Sequence, residues 1–206
     1  MFLLIQFFTY ILITLSANPP YGKLYVNNKG QLIGNQGKQV QLIGLSLFHS
    51  QWAGGYYNED SVRAIKCFFN GNIVRAAIGT VAGGYMDNKN KALNSAFSVI
   101  DAAIRQGIYV LVDWHDEQNH NDNEMIKLTN CAIDFFTIIL NKYKGVPNIL
   151  LELWNEPNGV KFDVAKKYYL QVYNAVRNLD KDVVVIVGSP DVLENLPNHI
   201  VGTNIL

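Results

Sequence analysis

Apolar residues recur along this chain in two alternating rhythms. Short runs rich in β-branched residues occur at VQLIGLS (40–46), NIVRAA (72–77), IYVLVDW (108–114), NILLELW (148–154) and DVVVIVG (182–188). These runs are close to continuously apolar, as strands buried on both faces should be. Between them the spacing changes to that of helices. One helix is expected over Ser61 to Asn70, with Asn58, Glu59 and Asp60 supplying a cap and first-turn acids. A second stripe holds Leu93, Ala96, Phe97, Ile100, Ala103 and Ile104 and stops at Gly107. A third holds Leu128, Ala132, Phe135, Ile139 and Tyr143, and a fourth Ala165, Tyr168, Val172, Ala175, Val176 and Leu179. Ahead of the first run, LYVNNKGQLI turns at Asn27-Asn28-Lys29-Gly30 and predicts a hairpin. Five strands alternating with four helices imply a parallel α/β sheet. Its closure is left open by the pattern: a doubly wound sheet or a (β/α)8 barrel. IVGSPD (186–191) lacks the spacing of a dinucleotide loop and reads as an ordinary loop.

Composition narrows the function. The 206 residues are 49% hydrophobic, enough to bury a core in a single domain. Seventeen basic residues balance seventeen acidic ones, which removes the broad positive field expected of nucleic-acid or anionic-membrane binding and favours an uncharged, extended substrate. The start, MFLLIQFFTYILITLSANPP, has the apolar run and small-residue end of a secretory leader, with cleavage expected after Ser16 or Ala17. The run is shorter than the roughly 20 residues of a spanning helix. Residues 1–17 are therefore expected to be a signal peptide, 18–206 the mature domain, and the location extracellular. Cys67 and Cys131 both fall in amphipathic helical patterns and are expected to be small buried hydrophobes rather than a disulfide. His49, His115, His120 and His199 are scattered, and no metal is expected.

Four of the five runs turn polar or aromatic at or just past their C-terminal ends, where parallel α/β folds bind ligands. The first leads to Phe48-His49-Ser50-Gln51-Trp52, the second carries Arg75, the third ends Asp113-Trp114-His115 and the fourth Asn155-Glu156-Pro157. Singly, each has a plain structural reading; together they mark a site. With no nucleophile elbow and no phosphate loop, what remains is carboxylate, imidazole, guanidinium and exposed tryptophan, a set suited to sugars. Glycoside cleavage needs two carboxylates, and Glu156 can be one.

These motifs, YGKLYVNNKGQLIGNQGKQVQLIGLS, HSQW, NIVRAA, GGYMDN, GIYVLVDWH and NILLELWNEPNG, together resemble glycoside hydrolase family 5, in particular its bacterial and plant-parasitic-nematode endo-β-1,4-glucanases. The resemblance covers nearly all of residues 18–206. It implies a (β/α)8 barrel with an N-terminal hairpin cap, and retaining hydrolysis of cellulose or related β-glucan by a monomer, without cofactor. Carried over by position, Glu156 is the general acid/base, Asn155 holds the sugar 2-hydroxyl, and Arg75 keeps the nucleophile carboxylate ionised. His115 lines the cleaved-bond subsite, His49 touches substrate, and Trp52 is a stacking platform. Glu152, four residues before Glu156 on the same strand face, reads as structural, pointing inward but deeper. VGSPDVLENLPN lacks the family's tryptophan, and the nucleophile glutamate is expected beyond Leu206, at the end of a seventh strand. The expected architecture is thus an incomplete barrel of about five βα units and the start of a sixth strand at GTNIL. Two other readings are a non-catalytic carbohydrate-binding or decoy protein built on the same half-site, and an open-sheet nucleotide-binding protein, which the missing phosphate loop disfavours.

Overall fold

The protein, a computed structural model describing residues 18–116 and 121–189, opens with an antiparallel hairpin of β1 (Tyr25–Val26) and β2 (Leu32–Ile33), as the Asn27 to Gly30 turn predicts. Five parallel strands follow in sequence order: β3 (Gly44–Ser46), β4 (Ile73–Gly79), β5 (Tyr109–His115), β6 (Ile149–Glu152) and β7 (Val184–Ile186). Four helices connect them, α1 (Glu59–Phe68), α2 (Lys89–Gln106), α3 (Asp122–Lys142) and α4 (Phe162–Leu179). The leader at 1–17 and the start of a sixth strand at GTNIL lie outside the described residues. Among the described residues no helix is long and apolar enough to cross a membrane.

Strand order decides between the two closures. A doubly wound sheet reverses its order at a switch point and carries helices on both faces. Here β3 to β7 run without reversal. The larger core joins Val74, Ala76, Ile78, Val110, Val112, Trp114, Leu151 and Val185 to the apolar stripes of all four helices. The opposite face, formed by Ile73, Tyr109, Leu111, Leu150, Val184 and Ile186, meets Leu24, Val26 and Leu32 of the hairpin segment instead. Helices on one side and a hairpin under the other describe five consecutive strands of a (β/α)8 barrel with its bottom plugged.

Local signals explain the element ends. Asn58 accepts from the Ser61 amide at 3.0 Å, so α1 starts two residues before Ser61. Gly107 closes α2 in the left-handed region at φ 67°. The first predicted strand, 40–46, shortens to Gly44–Ser46 because the Asn72 side chain does the ladder's work upstream: its Oδ1 accepts from Ile43 N at 2.8 Å and its Nδ2 donates to the Gln41 carbonyl at 3.0 Å. Cys131 is half-buried and Cys67 exposed, both as free thiols, so the expectation of a buried small hydrophobe fails at Cys67.

Candidate active site

Strand register sorts the polar residues into layers on the inner face of the sheet. Arg75 lies level with Ser46, Leu111 and Leu150. Asp113 is level with Ala77 and Glu152, and His115 with Gly79 at the C-terminal end of β5. Because side chains alternate along a strand, residues 111, 113 and 115 face inward while Trp114 faces the helices. Trp114 is fully buried among Tyr85 and Phe135, and Trp154 packs edge-on against Tyr168. Of the three tryptophans only Trp52 is exposed, at 50%, so only it offers a face to a sugar.

Arg75 rises from its layer to gather its neighbours. Its Nε and Nη2 grip Glu152 at 2.7 and 3.1 Å in a fork. Nη2 also reaches Asn155 Oδ1 and Asp113 Oδ2, each at 2.8 Å. One guanidinium thus serves two carboxylates, both largely buried. Burial would by itself lower the guanidinium pKa, but the bond to Glu152 and the charge of Asp113 outweigh it and raise it. Burial, then the charge of Asp113, raises the Glu152 pKa, with Arg75 pulling the other way. Since guanidinium can only donate, the Asn155 oxygen is the atom facing Arg75, which leaves its Nδ2 to donate elsewhere.

From Asp113 the network continues outward. Its Oδ2 meets His115 Nδ1 at 2.5 Å, and His115 Nε2 lies 3.0 Å from His49 Nε2. The His49 ring stacks on Trp52 (centroids 4.8 Å apart) and on Phe48 (4.3 Å), forming an aromatic shelf at the rim. Tyr57 fixes that shelf from beneath, its Oη lying 2.9 Å from the Phe48 carbonyl and 2.7 Å from that of Ala77. Its hydroxyl pKa is pushed well up by burial and by the charge of Asp113.

Past the end of β6 the chain turns over the rim. The Asn155 amide donates to the Trp114 carbonyl at 3.2 Å, holding the turn beside β5. Tyr168 Oη donates to the Leu153 carbonyl at 2.7 Å from behind. Gly188 lets β7 close in, since a Cβ there would come within 2.7 Å of the Asn155 carbonyl. Glu156 follows Asn155 in the chain but is exposed; its carbonyl accepts from the Asn158 amide at 2.8 Å, while its carboxylate makes no hydrogen bond or ion pair with another described residue. It does not share a strand face with Glu152, as the spacing of four had implied, because β6 stops at Glu152.

The structure therefore joins Arg75, Asn155, His115, His49 and Trp52 through direct contacts and sets Glu156 beside them at the rim. Asp113 and Glu152 complete the network: sequence reasoning put Asp113 at its strand end without a role, and read Glu152 as an inward, deeper structural residue, which is where Arg75 holds it. The signal for Asp113 was its place two residues before His115, on the same strand face, interrupting an apolar run. Among the described residues, no group of three His, Cys, Asp or Glu converges in a way that could hold a metal ion.

Comparisons with known proteins agree with the fold. The family model described as Cellulase (glycosyl hydrolase family 5) matches residues 33–200. Endoglucanase N of Pectobacterium atrosepticum is 36% identical over 200 residues, 93% of this chain and 44% of that protein. Endoglucanase 5 of Pectobacterium carotovorum subsp. carotovorum is 37% identical over 179 residues, 85% of this chain and 34% of that one. Among solved structures, the catalytic domain of Thermobifida fusca endoglucanase Cel5A in complex with cellotetraose superposes with a TM-score of 0.76 at 32% identity, covering 82% of this chain and 54% of that one. A protein of Cytophaga hutchinsonii gives 0.75 at 36% identity over the same shares. The chain thus spans less than half the length of the curated relatives and about half that of the solved ones.

Proposed function

The chain belongs to the cellulase family, glycosyl hydrolase family 5, and from that premise we propose that its five strands carry the acid/base side of a retaining endo-β-1,4-glucanase site. One observation supports this above the others. The Arg75, Asp113, Glu152 and Asn155 network and the His115, His49 and Trp52 chain meet at the C-terminal ends of adjacent strands, with the Glu156 carboxylate exposed at the same rim. The relatives named endoglucanases, and the cellotetraose held by the Thermobifida fusca neighbour, point to β-1,4-glucan as the substrate.

In this reading a glucan chain lies across the rim with one glucosyl face on Trp52. Asn155 donates its Nδ2 hydrogen to the 2-hydroxyl of the sugar at the cleaved bond. Glu156 gives its proton to the glycosidic oxygen as that bond breaks, while a second carboxylate about 5 to 5.5 Å away attacks the anomeric carbon from the opposite face. Glu156 then takes a proton from the water that releases the glycosyl group. Asp113 and Glu152 are both engaged by Arg75, so we assign the nucleophile to the barrel strands that follow β7 in the family fold. Arg75 Nη1, whose one bond to another described residue is the long 3.3 Å contact to Ser46, borders the open inner cavity from which that carboxylate would come. The leader pattern at residues 1–17, outside the described residues, fits secretion to plant cell-wall glucan, where the enzyme would act as a monomer.

The test joins residues 18–189 in one chain to the last three barrel strands of a related endoglucanase and follows reducing-sugar release from soluble β-1,4-glucan. Turnover is expected, and Glu156→Gln is expected to cut it by about 10²-fold or more. A Glu156→Gln chain that keeps its rate removes the acid/base assignment. Without the added strands we expect cellotetraose to bind but not to be cleaved, and Trp52→Ala to weaken binding about tenfold, the equivalent of roughly 1.4 kcal/mol of lost ring contact.

A further inference from the structure

We infer that Asp113 is the positioning residue of the histidine pair: it fixes the ring-proton arrangement of His115, and through it the orientation of His49 and the face of Trp52. The argument begins with what a buried carboxylate can do. Asp113 is fully buried on the inner face of β5, and its Oδ2 is ion-paired with Arg75 Nη2, at 2.8 Å, and lies in hydrogen-bond contact with His115 Nδ1. Its other oxygen, Oδ1, has no hydrogen-bond partner, so the residue's whole polar function is concentrated on Oδ2. A carboxylate oxygen facing a guanidinium has no proton to offer, so Nδ1 of His115 carries the hydrogen between them. The opposite tautomer would set two lone pairs against each other.

With Nδ1 protonated, neutral His115 is an acceptor at Nε2, and that atom lies 3.0 Å from His49 Nε2. That requires the hydrogen of His49 on Nε2. Proton placement is thus set in order from Arg75 to Asp113, His115 and His49, and the last ring is the one stacked on Trp52. Besides His115, the charged or titratable groups among the described residues that act on Asp113 are Arg75 from β4, Glu152 from β6, the Tyr57 hydroxyl below the shelf and the Tyr168 and Tyr169 hydroxyls of α4, the three tyrosines each bonded to a backbone carbonyl. None of these can take over its contact with Nδ1, because Arg75 only donates and Glu152 is held in the Arg75 fork. The effect on sugar binding rests on the β-glucan reading above; the tautomer assignment does not.

Long-range proton–nitrogen correlation NMR on the histidine-labelled protein tests this directly, at a pH where the rings are neutral. Wild type is expected to show His115 as the Nδ1–H tautomer and His49 as the Nε2–H tautomer. In Asp113→Asn, whose amide can turn a donor toward the ring, His115 should shift to a mixed or reversed tautomer. His49 should change with it, although Asp113 acts on it only through His115. Cellotetraose affinity should fall about tenfold, the equivalent of about 1.4 kcal/mol. An Nε2–H tautomer at His115 in the wild-type protein overturns the inference whether or not the variant folds, and so does an unchanged pair in a folded Asp113→Asn protein. Should neither protein bind cellotetraose while the tautomers respond as stated, Asp113 keeps its part and the β-glucan reading is the one that fails.

Discussion

Glu152 and Glu156 are the same residue type four positions apart, yet the fold separates them completely. One is clamped inside by Arg75 with Asp113 as a like-charged neighbour; the other stands exposed at the rim. Glu152 should titrate above the ordinary glutamate value of 4.5, since burial and Asp113 outweigh Arg75. Carboxyl-carbon NMR should show this, with Asp113→Asn bringing the value down and Arg75→Met sending it further up. A native pKa above the unfolded one means folding favours the protonated acid. The contribution of Glu152 to stability is therefore complete below pH 4.5 and is lost as pH rises through its raised native value. At this scale the sequence marked His115, Asn155 and Trp52 by their positions at or past strand ends, and Arg75 as a cation within an apolar strand. It could not show that Asp113 and Glu152 divide one cation, because that depends on register between strands 39 residues apart in the chain.

The elements were legible where their signals were local. Each helix and strand predicted within the described residues formed, and the Asn58 cap and Gly107 stop lie where the sequence put them. The first strand was overestimated because a side chain from a later segment, Asn72, replaces part of its ladder. What holds the rest of β3 is closeness: a Cβ on Gly44 would come within 1.7 Å of the Ile73 carbonyl oxygen. Gly44→Ala must push β3 away from β4 and is expected to cost about 1–3 kcal/mol or more in urea unfolding. Since β3 leads straight into His49 and Trp52, cellotetraose binding should fall as well, whereas a mere loss of global stability would leave affinity unchanged in the folded fraction.

At the scale of the whole molecule, the sequential strand order and one-sided helices leave the inner face bordered by a cavity of about 380 Å³, lined by Leu42, Leu45, Leu111, Leu150 and Ile186 among others. Leu45 and Ile43 are exposed beside it at 44% and 57%. Such a face, flanked by β3 and β7 as edges of the described sheet, should bind an apolar dye such as anilinonaphthalene sulfonate. Leu45→Asp should reduce the fluorescence, and joining the remaining barrel strands should abolish it; a dye-silent 206-residue chain would mean that this face is covered in solution. Barrel closure itself could not be read from periodicity alone, because strands buried on both faces look alike in open and closed sheets.

The hairpin plug has a consequence for the order in which the chain assembles. Each strand of the sheet leans on the one made just before it, so synthesis and folding can advance together. The plug cannot: Lys23 pairs with Asp182 at 3.0 Å, and Leu24 shares its cluster with Val184, partners that emerge from the ribosome some 160 residues later. A segment made early is therefore among the last to dock. It acts as a latch that finds its seat only once the fifth parallel strand is in register.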